Sequence, residues 1–285
     1  MSVLKIAIQK SGRLNEDSIQ LLKDCGIAIN NGSDQLKVTA CNFPLEIYFL
    51  RNSDIPQYLL DGVVDVAIVG DNLLAEKGKT IRVVEKLGFS KCRVSVAVPK
   101  NFNYESIQDL EGLQIATSYP NTVLNYFNAQ GVTVNLHQIS GSVEIAPNIG
   151  LSDAIVDIVS SGSTLFKNNL KEVEVILKSE AVLAVAPQLP FEVEALLQKL
   201  VFRIQSVLRA RKSKYILMNV PNEKIESVSK ILPVLKSPTI MPLSEVGWSS
   251  LHSVIDEEKF WEVIDQLKEA GAEGILVCPI EKIVL

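Results

Sequence analysis

An α/β chain ending in a ferredoxin-like βαββαβ unit is the fold that these residues predict, and three observations carry it. Strand and helix signals alternate through residues 1–211. Two strand-length runs, 63–69 and 154–159, are almost unbroken in apolar, largely β-branched residues, the pattern of strands buried on both faces of a parallel sheet. Beyond residue 212 the rhythm changes to strand, helix, strand, strand, helix, strand. A length of 285 residues suits two or three domains at roughly 100–200 residues each.

The elements follow in order. Residues 4–8 read as a short apolar strand and 9–14 as a loop. A helix is expected over 16–25, with Asn15 as its cap, acids in its first turn and Gly26 as its stop. Leu45, Ile47 and Phe49 alternate as a strand. Asp54 is placed to cap a short helix with Pro56 in its first turn, closed by Gly62 ahead of the 63–69 strand. A second α/β block is expected from near Val96. It holds a strand at 114–117, a loop at 118–121 and a helix at 123–130 stopped by Gly131. Val132, Val134 and Leu136 alternate as another strand, and 154–159, 173–177 and 181–186 supply three more. Residues 192–211 form the longest amphipathic helix, with Arg209, Arg211 and Lys212 at the end where the helix dipole favours cations. The last segment has strands at 215–220, 239–243, 251–255 and 274–278. Its helices lie at 223–232 and 257–270, the second ended by Gly271.

Composition narrows the classes. Hydrophobic residues at 47% and charged residues at 21% exclude a disordered, collagen-like or coiled-coil chain. The net charge of −5 disfavours unspecific binding to nucleic acid or to anionic membrane, but leaves room for a local basic pocket. No apolar run approaches the roughly 18–20 residues that span a bilayer. The first ten residues show no basic segment leading into an apolar run, so no secretion signal is expected. Cys25, Cys41, Cys92 and Cys278 contain no CxxC pair, and only His137 and His252 can add imidazole. Reduced thiols in a cytoplasmic protein are therefore expected, without a zinc site or disulfide framework.

Ligands in parallel α/β sheets bind at the carboxyl ends of strands. The segments after the expected strands are Gln9-Lys10-Ser11-Gly12-Arg13, Arg51-Asn52-Ser53-Asp54, Gly70-Asp71, Ser118-Tyr119-Pro120-Asn121 and Ser160-Ser161-Gly162-Ser163-Thr164. The last is the sharpest. A buried strand delivers a hydroxyl-rich loop whose backbone N–H groups can converge on a phosphate, aided by the positive end of the next helix. Gly162 allows close approach, and Asp157 within the strand can accept hydrogen bonds from sugar hydroxyls. Lys10, Arg13, Arg51 and Arg93 offer the cations that polyphosphates need. Asp71 and Glu144 can hold a metal-bound phosphate or a ribose, and Tyr119 can stack on a purine. From these residues alone an ordinary Ser/Gly turn, solvated cations, capping acids and a core tyrosine stay open. Neither histidine has a neighbouring Ser or Cys arrangement that suggests a nucleophilic triad.

Together these segments resemble the ATP phosphoribosyltransferase family, first enzymes of histidine biosynthesis, in its long form, over essentially the whole chain. The most specific part is Glu144-x5-Gly150-x-Ser152-x2-Ile155-x-Asp157-Ile158-x2-Ser161-Gly162-x-Thr164-Leu165, which fits the family signature at every specified position. Gln9 to Leu14, Asp61-Gly62-Val63-Val64-Asp65, Thr117-Ser118-Tyr119-Pro120, Arg211 to Tyr215 and Ser237-Pro238-Thr239-Ile240 also look like the family.

The resemblance implies a two-lobed, periplasmic-binding-protein-like catalytic unit. Domain I would take 1–95 with 181–211, and domain II 96–180, the chain crossing out near Val96 and returning near Ala181. A regulatory domain at 212–285, which short forms lack, would remove the need for a separate regulatory subunit. Phosphoribosyl pyrophosphate would be bound by Asp157, Val159, Ser160, Ser161, Gly162, Ser163 and Thr164, with Glu144 and Asp153. ATP would be bound by Lys10, Gly12, Arg13, Arg51, Asp71, Arg93, Ser118 and Tyr119. The resemblance further implies Mg²⁺ on the pyrophosphate oxygens and names no catalytic base. Histidine would act as feedback inhibitor at Thr239, Val254 and Gly274, shifting a dimer–hexamer equilibrium. Two rivals are weaker. A prephenate dehydratase should carry a Thr-Arg-Phe motif that is absent. A solute-binding protein or ligand sensor is disfavoured by the lack of a secretion signal and of a helix-turn-helix segment.

Overall fold

The computed structural model describes residues 2–30, 35–78, 81–232 and 237–284. Two compact units are present: Met1–Lys23 with Ile27–Gln198, and Asp24–Gly26 with Lys199–Leu285.

The first unit runs β1 (Leu4–Gln9), α1 (Arg13–Asp24), β2 (Lys37–Thr39), β3 (Leu45–Leu50), α2 (Ile55–Leu60), β4 (Val66–Gly70), α3 (Asp71–Lys77) and β5 (Arg82–Lys86). It continues with β6 (Cys92–Pro99), β7 (Gln114–Thr117), α4 (Pro120–Gln130), β8 (Asn135–Gln138), β9 (Ala154–Val159), α5 (Ser163–Lys167), β10 (Leu170–Ser179) and β11 (Ala181–Val185). These strands make two sheets, ordered β2-β3-β1-β4-β11-β5 and β10-β6-β9-β7-β8. Strands β1, β3 and β4 are mutually parallel, as are β7, β8 and β9. The chain leaves the first sheet after β5 and returns through Glu180 between β10 and β11. Two α/β lobes joined by a double crossing form a periplasmic-binding-protein-like unit. The crossings are tied together, Leu87 N–H to the Ala181 carbonyl at 2.9 Å and Ala181 N–H to the Phe89 carbonyl at 3.0 Å.

The strands form where their patterns put them. Val66, Ala67, Ile68 and Val69 are completely buried, because β4 lies between β1 and β11 with a covered face on each side. In β3 only Leu45, Ile47 and Phe49 are buried. Other expectations shift. The second sheet begins at Cys92, ahead of Val96, because polar Arg93 and Ser95 alternate with buried Val94 and Val96 and disguise the strand. Helix α1 starts at Arg13, so Asn15 lies inside its first turn rather than capping it, and its Nδ2 donates to the Gln9 carbonyl. Asp54 holds the cap position of α2 but makes no capping bond; its carboxylate takes the Ser53 hydroxyl instead. Val132 and Val134 precede β8 rather than joining it.

The division between units falls within α6 (Phe191–Arg211), short of the expected boundary at 211. The second unit continues with β12 (Ser213–Pro221), α7 (Ile225–Ile231), β13 (Thr239–Pro242), β14 (Trp248–Asp256), α8 (Glu257–Glu269) and β15 (Glu273–Pro279). Its sheet is antiparallel in the order β13-β14-β12-β15, the ferredoxin-like topology. Ile216, Met218, Leu251 and Ile255 pack against Phe260 and Leu267 of α8. The alternate residues Tyr215, Leu217, His252 and Val254 occupy the opposite face, away from the unit's own two helices.

A carboxylate cap crosses between the two lobes of the first unit. Helix α4 has Pro120 at its first position, and the residue before it, Tyr119, makes no side-chain cap. Its open amides are taken by Glu76 of α3, which is 7% exposed. Glu76 Oε1 accepts Asn121 N–H at 3.0 Å, and Oε2 accepts Thr122 N–H at 2.9 Å and the Thr122 hydroxyl at 2.8 Å. A carboxylate suits a helix N-terminus, where unpaired N–H groups gather partial positive charge. Glu76→Ala is expected to destabilise the protein by about 1–2 kcal/mol, because it removes the cap from part-buried donors. Chemical denaturation measures this, and a loss under about 0.5 kcal/mol would deny the contact its structural weight.

Candidate active site

Strands β1, β3 and β4 of one lobe and β7 and β9 of the other end in the segments predicted to bind ligands. Two cavities open among the ends of β1, β3, β4 and β9. One, of about 410 Å³, is lined by Lys86, Lys91, Arg93, Lys178 and Asp71 among others. The second, of about 440 Å³, is lined by Gln9, Arg13, Asn52, Asn72 and Ile158 among others. Lys91, Cys92 and Ser160 line both, so the loop that follows β9 stands where the cavities meet. Asn52 Oδ1 is buried without a hydrogen-bond partner among the described residues, an acceptor of the kind usually satisfied in native proteins.

The loop's backbone is set by Gly162, whose φ of +78° lies in the left-handed region. A Cβ there would meet only Val159 Cγ1 at 4.0 Å, so conformation rather than crowding demands glycine. The Gly162 carbonyl accepts the Phe166 N–H to open α5. Helix α5 has only five residues, so anion binding here rests on loop amides and hydroxyls more than on a helix dipole. The Ser161 hydroxyl donates to Ser163 Oγ at 3.1 Å. Val159 is buried in the core and offers the site backbone alone.

Asp157 pairs across the sheet with Ser95, so both side chains share one face. Burial pushes its carboxyl up to about 6, the charge of Glu144 adds to the rise, and the Ile158 N–H opposes it. The Tyr119 phenol is pushed well above its ordinary value, first by burial and then by the nearby Asp157 charge. Asn72 Nδ2 donates to that phenol oxygen at 3.4 Å. A desolvated carboxylate with a displaced pKa beside a cleft is a common mark of a functional site.

The other predicted residues are placed unevenly. Arg13 lines the second cavity and Asp71 the first. Arg93 borders the first cavity, but its guanidinium faces Glu172 side-on and also donates to the Ser160 carbonyl. Lys10 and Arg51 are exposed at the ends of adjacent strands, and the Lys10 N–H bonds the Leu50 carbonyl. Gly12, with φ +87°, leads into α1, and its carbonyl accepts the Glu16 N–H. The Ser118 hydroxyl donates to the Ile139 carbonyl at 2.8 Å.

Asp153 is not brought to the loop. It precedes β9, and its carboxylate accepts the Gln114 N–H at 2.9 Å. A strand rises about 3.3 Å per residue, so Asp153 is about 20 Å from the far end of β9. Sequence reading missed Lys91, Lys178, Asn72 and Glu172; nothing in their local sequence marks them, because strand pairing and chain crossing bring them in.

In the second unit Thr239, Val254 and Gly274 stand on β13, β14 and β15. Thr239 pairs with His252, and Val254 with Tyr215, on the sheet face away from the unit's helices. There Tyr215 Oη lies 2.9 Å from His252 Nδ1, and Ser250 Oγ 2.8 Å from Nε2. All four cysteines are free thiols. Among the described residues no three His, Cys, Asp or Glu side chains gather as a metal cluster, and no helix is long and apolar enough to cross a membrane.

The family profile of ATP phosphoribosyltransferase matches residues 51–206, and that of the HisG C-terminal domain matches 210–282. An ATP phosphoribosyltransferase of Cytophaga hutchinsonii is 57% identical over 283 residues, covering 99% of both chains. One of Bacteroides thetaiotaomicron is 49% identical over 283 residues, covering 99% of this chain and 100% of its own. Among solved structures, the ATP phosphoribosyl transferase (HisG:HisZ) complex from Thermotoga maritima superposes with a TM-score of 0.60 at 31% identity. That match covers 71% of this chain and 99% of the other.

The Asp157 carboxyl sets a pH dependence. Its ordinary value is 3.8 and its folded value about 6, so the folded state binds the proton more tightly. The penalty of ionising it is absent below about pH 3.8, grows between the two values and is complete above about 6. Asp157→Asn is therefore expected to raise stability at pH 7.5 by up to about 3 kcal/mol and to change it little at pH 3.5. Denaturation of both proteins at the two pH values measures this; equal stability at pH 7.5 would rule out a desolvated charge.

Proposed function

The chain belongs to the ATP phosphoribosyltransferase family, a transferase of histidine biosynthesis that binds ATP, and on that premise we propose how its residues divide the reaction. The substrates are ATP and 5-phosphoribosyl 1-pyrophosphate. Adenine N1 attacks C1 of the phosphoribosyl group with its own lone pair. The N1–C1 bond forms, the C1–O bond breaks, and pyrophosphate departs with the bonding electrons. Positive charge develops on the ribose ring and negative charge on the leaving group. No base is needed to start the attack, so positioning and charge stabilisation carry the catalysis.

The observation that carries this division is that Ser160, which opens the Ser160–Thr164 hydroxyl loop, lines both cation-bearing cavities. The loop holds the 5′-phosphate through the amides and hydroxyls of Ser160, Ser161, Gly162, Ser163 and Thr164. Asp157 accepts from the ribose hydroxyls, and its charge faces the sugar as positive charge builds. Lys91 and Lys178, with Arg13, face the polyphosphate groups. Lys10, Gly12, Arg51, Asp71, Ser118 and Tyr119 complete the ATP side.

Mg²⁺ fits this residue set. A hard cation that keeps its waters needs only one or two carboxylates besides substrate phosphates, and the Glu144 charge is close enough to raise the Asp157 carboxyl. Asp157 and Glu144 would hold the ion, and it would offset the charge of the departing pyrophosphate.

The second unit, on this reading, binds histidine at Thr239, Val254 and Gly274 without a separate regulatory subunit. Histidine shifts a dimer–hexamer equilibrium by binding the two states unequally. The enzyme works in the cytoplasm, where its four free cysteines stay reduced.

Mixing the protein with ATP, phosphoribosyl pyrophosphate and Mg²⁺ should release pyrophosphate and a new ultraviolet-absorbing product. Gly162→Val places a branched residue at φ +78°. It is expected to lower kcat/KM for phosphoribosyl pyrophosphate roughly a hundredfold in a folded protein; normal turnover would sink the loop assignment. Histidine should inhibit the wild type. Val254→Arg, which puts a charge on the proposed inhibitor face, is expected to raise the inhibitory concentration at least about tenfold. Unaltered inhibition would move that site elsewhere.

A further inference from the structure

Glu172 lies on β10, outside every segment that the sequence singles out, yet it reaches beneath the phosphate loop. Its two carboxylate oxygens accept from Nε and Nη2 of Arg93. Oε1 also accepts the hydroxyl of Ser95, a residue with no exposed surface, at 2.7 Å. The remaining arm of the guanidinium, Nη1, donates to the Ser160 carbonyl at 3.0 Å. Sheet order explains the gathering. Strands β10, β6 and β9 are neighbours, and Arg93 pairs with Val159, the residue before Ser160. Only the planar fork of arginine can meet a carboxylate side-on and still offer a donor elsewhere; a lysine ammonium cannot.

The Ser160 carbonyl shares its peptide with the Ser161 N–H. That peptide is planar and trans, so the two groups point in opposite directions. A carbonyl turned in toward Arg93 turns the Ser161 N–H out over the loop. Among the described residues no protein acceptor takes that N–H.

We propose that Glu172 is a positioning residue for phosphoribosyl pyrophosphate: by fixing Arg93 it holds the Ser160 carbonyl inward and presents the Ser161 N–H to the 5′-phosphate. This rests on the phosphate-loop reading above and moves Arg93 from ATP to the support of the loop. Glu172 touches no substrate and acts through Arg93 alone.

The test is a double-mutant cycle on the full chain, with ATP and phosphoribosyl pyrophosphate varied separately. Glu172→Gln is expected to raise KM for phosphoribosyl pyrophosphate by about tenfold to a hundredfold, the weight of one charged hydrogen bond. KM for ATP should stay unchanged. In the Arg93→Met background the same substitution should add nothing, because its route is already cut. Arg93→Lys keeps the charge and loses the fork, so it should show the same substrate-selective rise. It also serves in place of Glu172→Gln if melting shows that variant unfolded. Additive effects, equal losses toward both substrates, or a wild-type KM for phosphoribosyl pyrophosphate overturn the proposal. Gly162→Val run alongside separates the two readings. If it leaves that KM unchanged, the loop assignment fails and this inference with it; if it raises KM and Glu172→Gln does not, only the inference fails.

Discussion

A carboxylate reaching from one lobe to the helix of the other is the contact on which the geometry of the cleft depends. Helix α3 carries Asn72 and Glu76 one turn apart. Asn72 exchanges hydrogen bonds with Ser179 at the returning crossing, both at 2.9 Å, and Glu76 caps α4. Helix α4 starts directly after Ser118 and Tyr119. One short helix of the first lobe therefore fixes both the crossing and the Ser118–Tyr119 loop of the second. Neither side could do so with apolar contacts alone, because packing resists separation but sets no register between polar groups. The first amides of α4 have no partner within the helix, and Glu76 pairs two of them.

Charge at the site is arranged differently from the average over the chain. The net charge is −5, yet the substrates are both strongly anionic. Lys86, Lys91, Arg93 and Lys178 all border one cavity. Arg93 is committed to Glu172 and Lys86 lies 3.9 Å from Glu180, while Lys91 and Lys178 form no ion pair among the described residues. Against these stands Asp157, a carboxylate kept at a cost in a desolvated place. Burial opposes its charge by more than the single Ile158 N–H restores, so the fold accepts a local loss of stability there. On the proposed division of the reaction, such a loss suits a carboxylate that stabilises a positive ribose ring during bond breaking.

Much of the fold was legible. Patterns of buried β-branched residues located β4 and β9 within a few residues, alternation located β3, and glycines marked the ends of α1 and α4. The missed pieces share a cause. Strand β5 is an edge with mixed polar exposure, β2 has three residues, and β6 begins with polar side chains that face a hydrogen-bond network rather than solvent. A reading based on apolar periodicity takes polar as exposed, and here Ser95 and Arg93 break that rule. Asn15 and Asp54 look like caps, but each found a nearer partner. The site was half legible for the same reason. The β9 loop could be found because strand, glycine and hydroxyls are contiguous. Asp153, which the resemblance assigns to the same ligand, lies at the other end of β9, because an extended strand carries its two ends far apart.

By itself the sequence determined the fold class, the family, and the loop that follows β9, since each rests on residues adjacent or regularly spaced along the chain. Only the tertiary structure decided which residues stand around that loop. Glu172 comes from β10, Lys91 from the outgoing crossing and Asn72 from α3, and sheet order together with two crossings makes them neighbours. It also decided what Arg93 does. A lone arginine in a sequence can serve a phosphate or a carboxylate equally well, and a partner distant in sequence, Glu172, settles the choice through a side-on pairing that local sequence cannot encode.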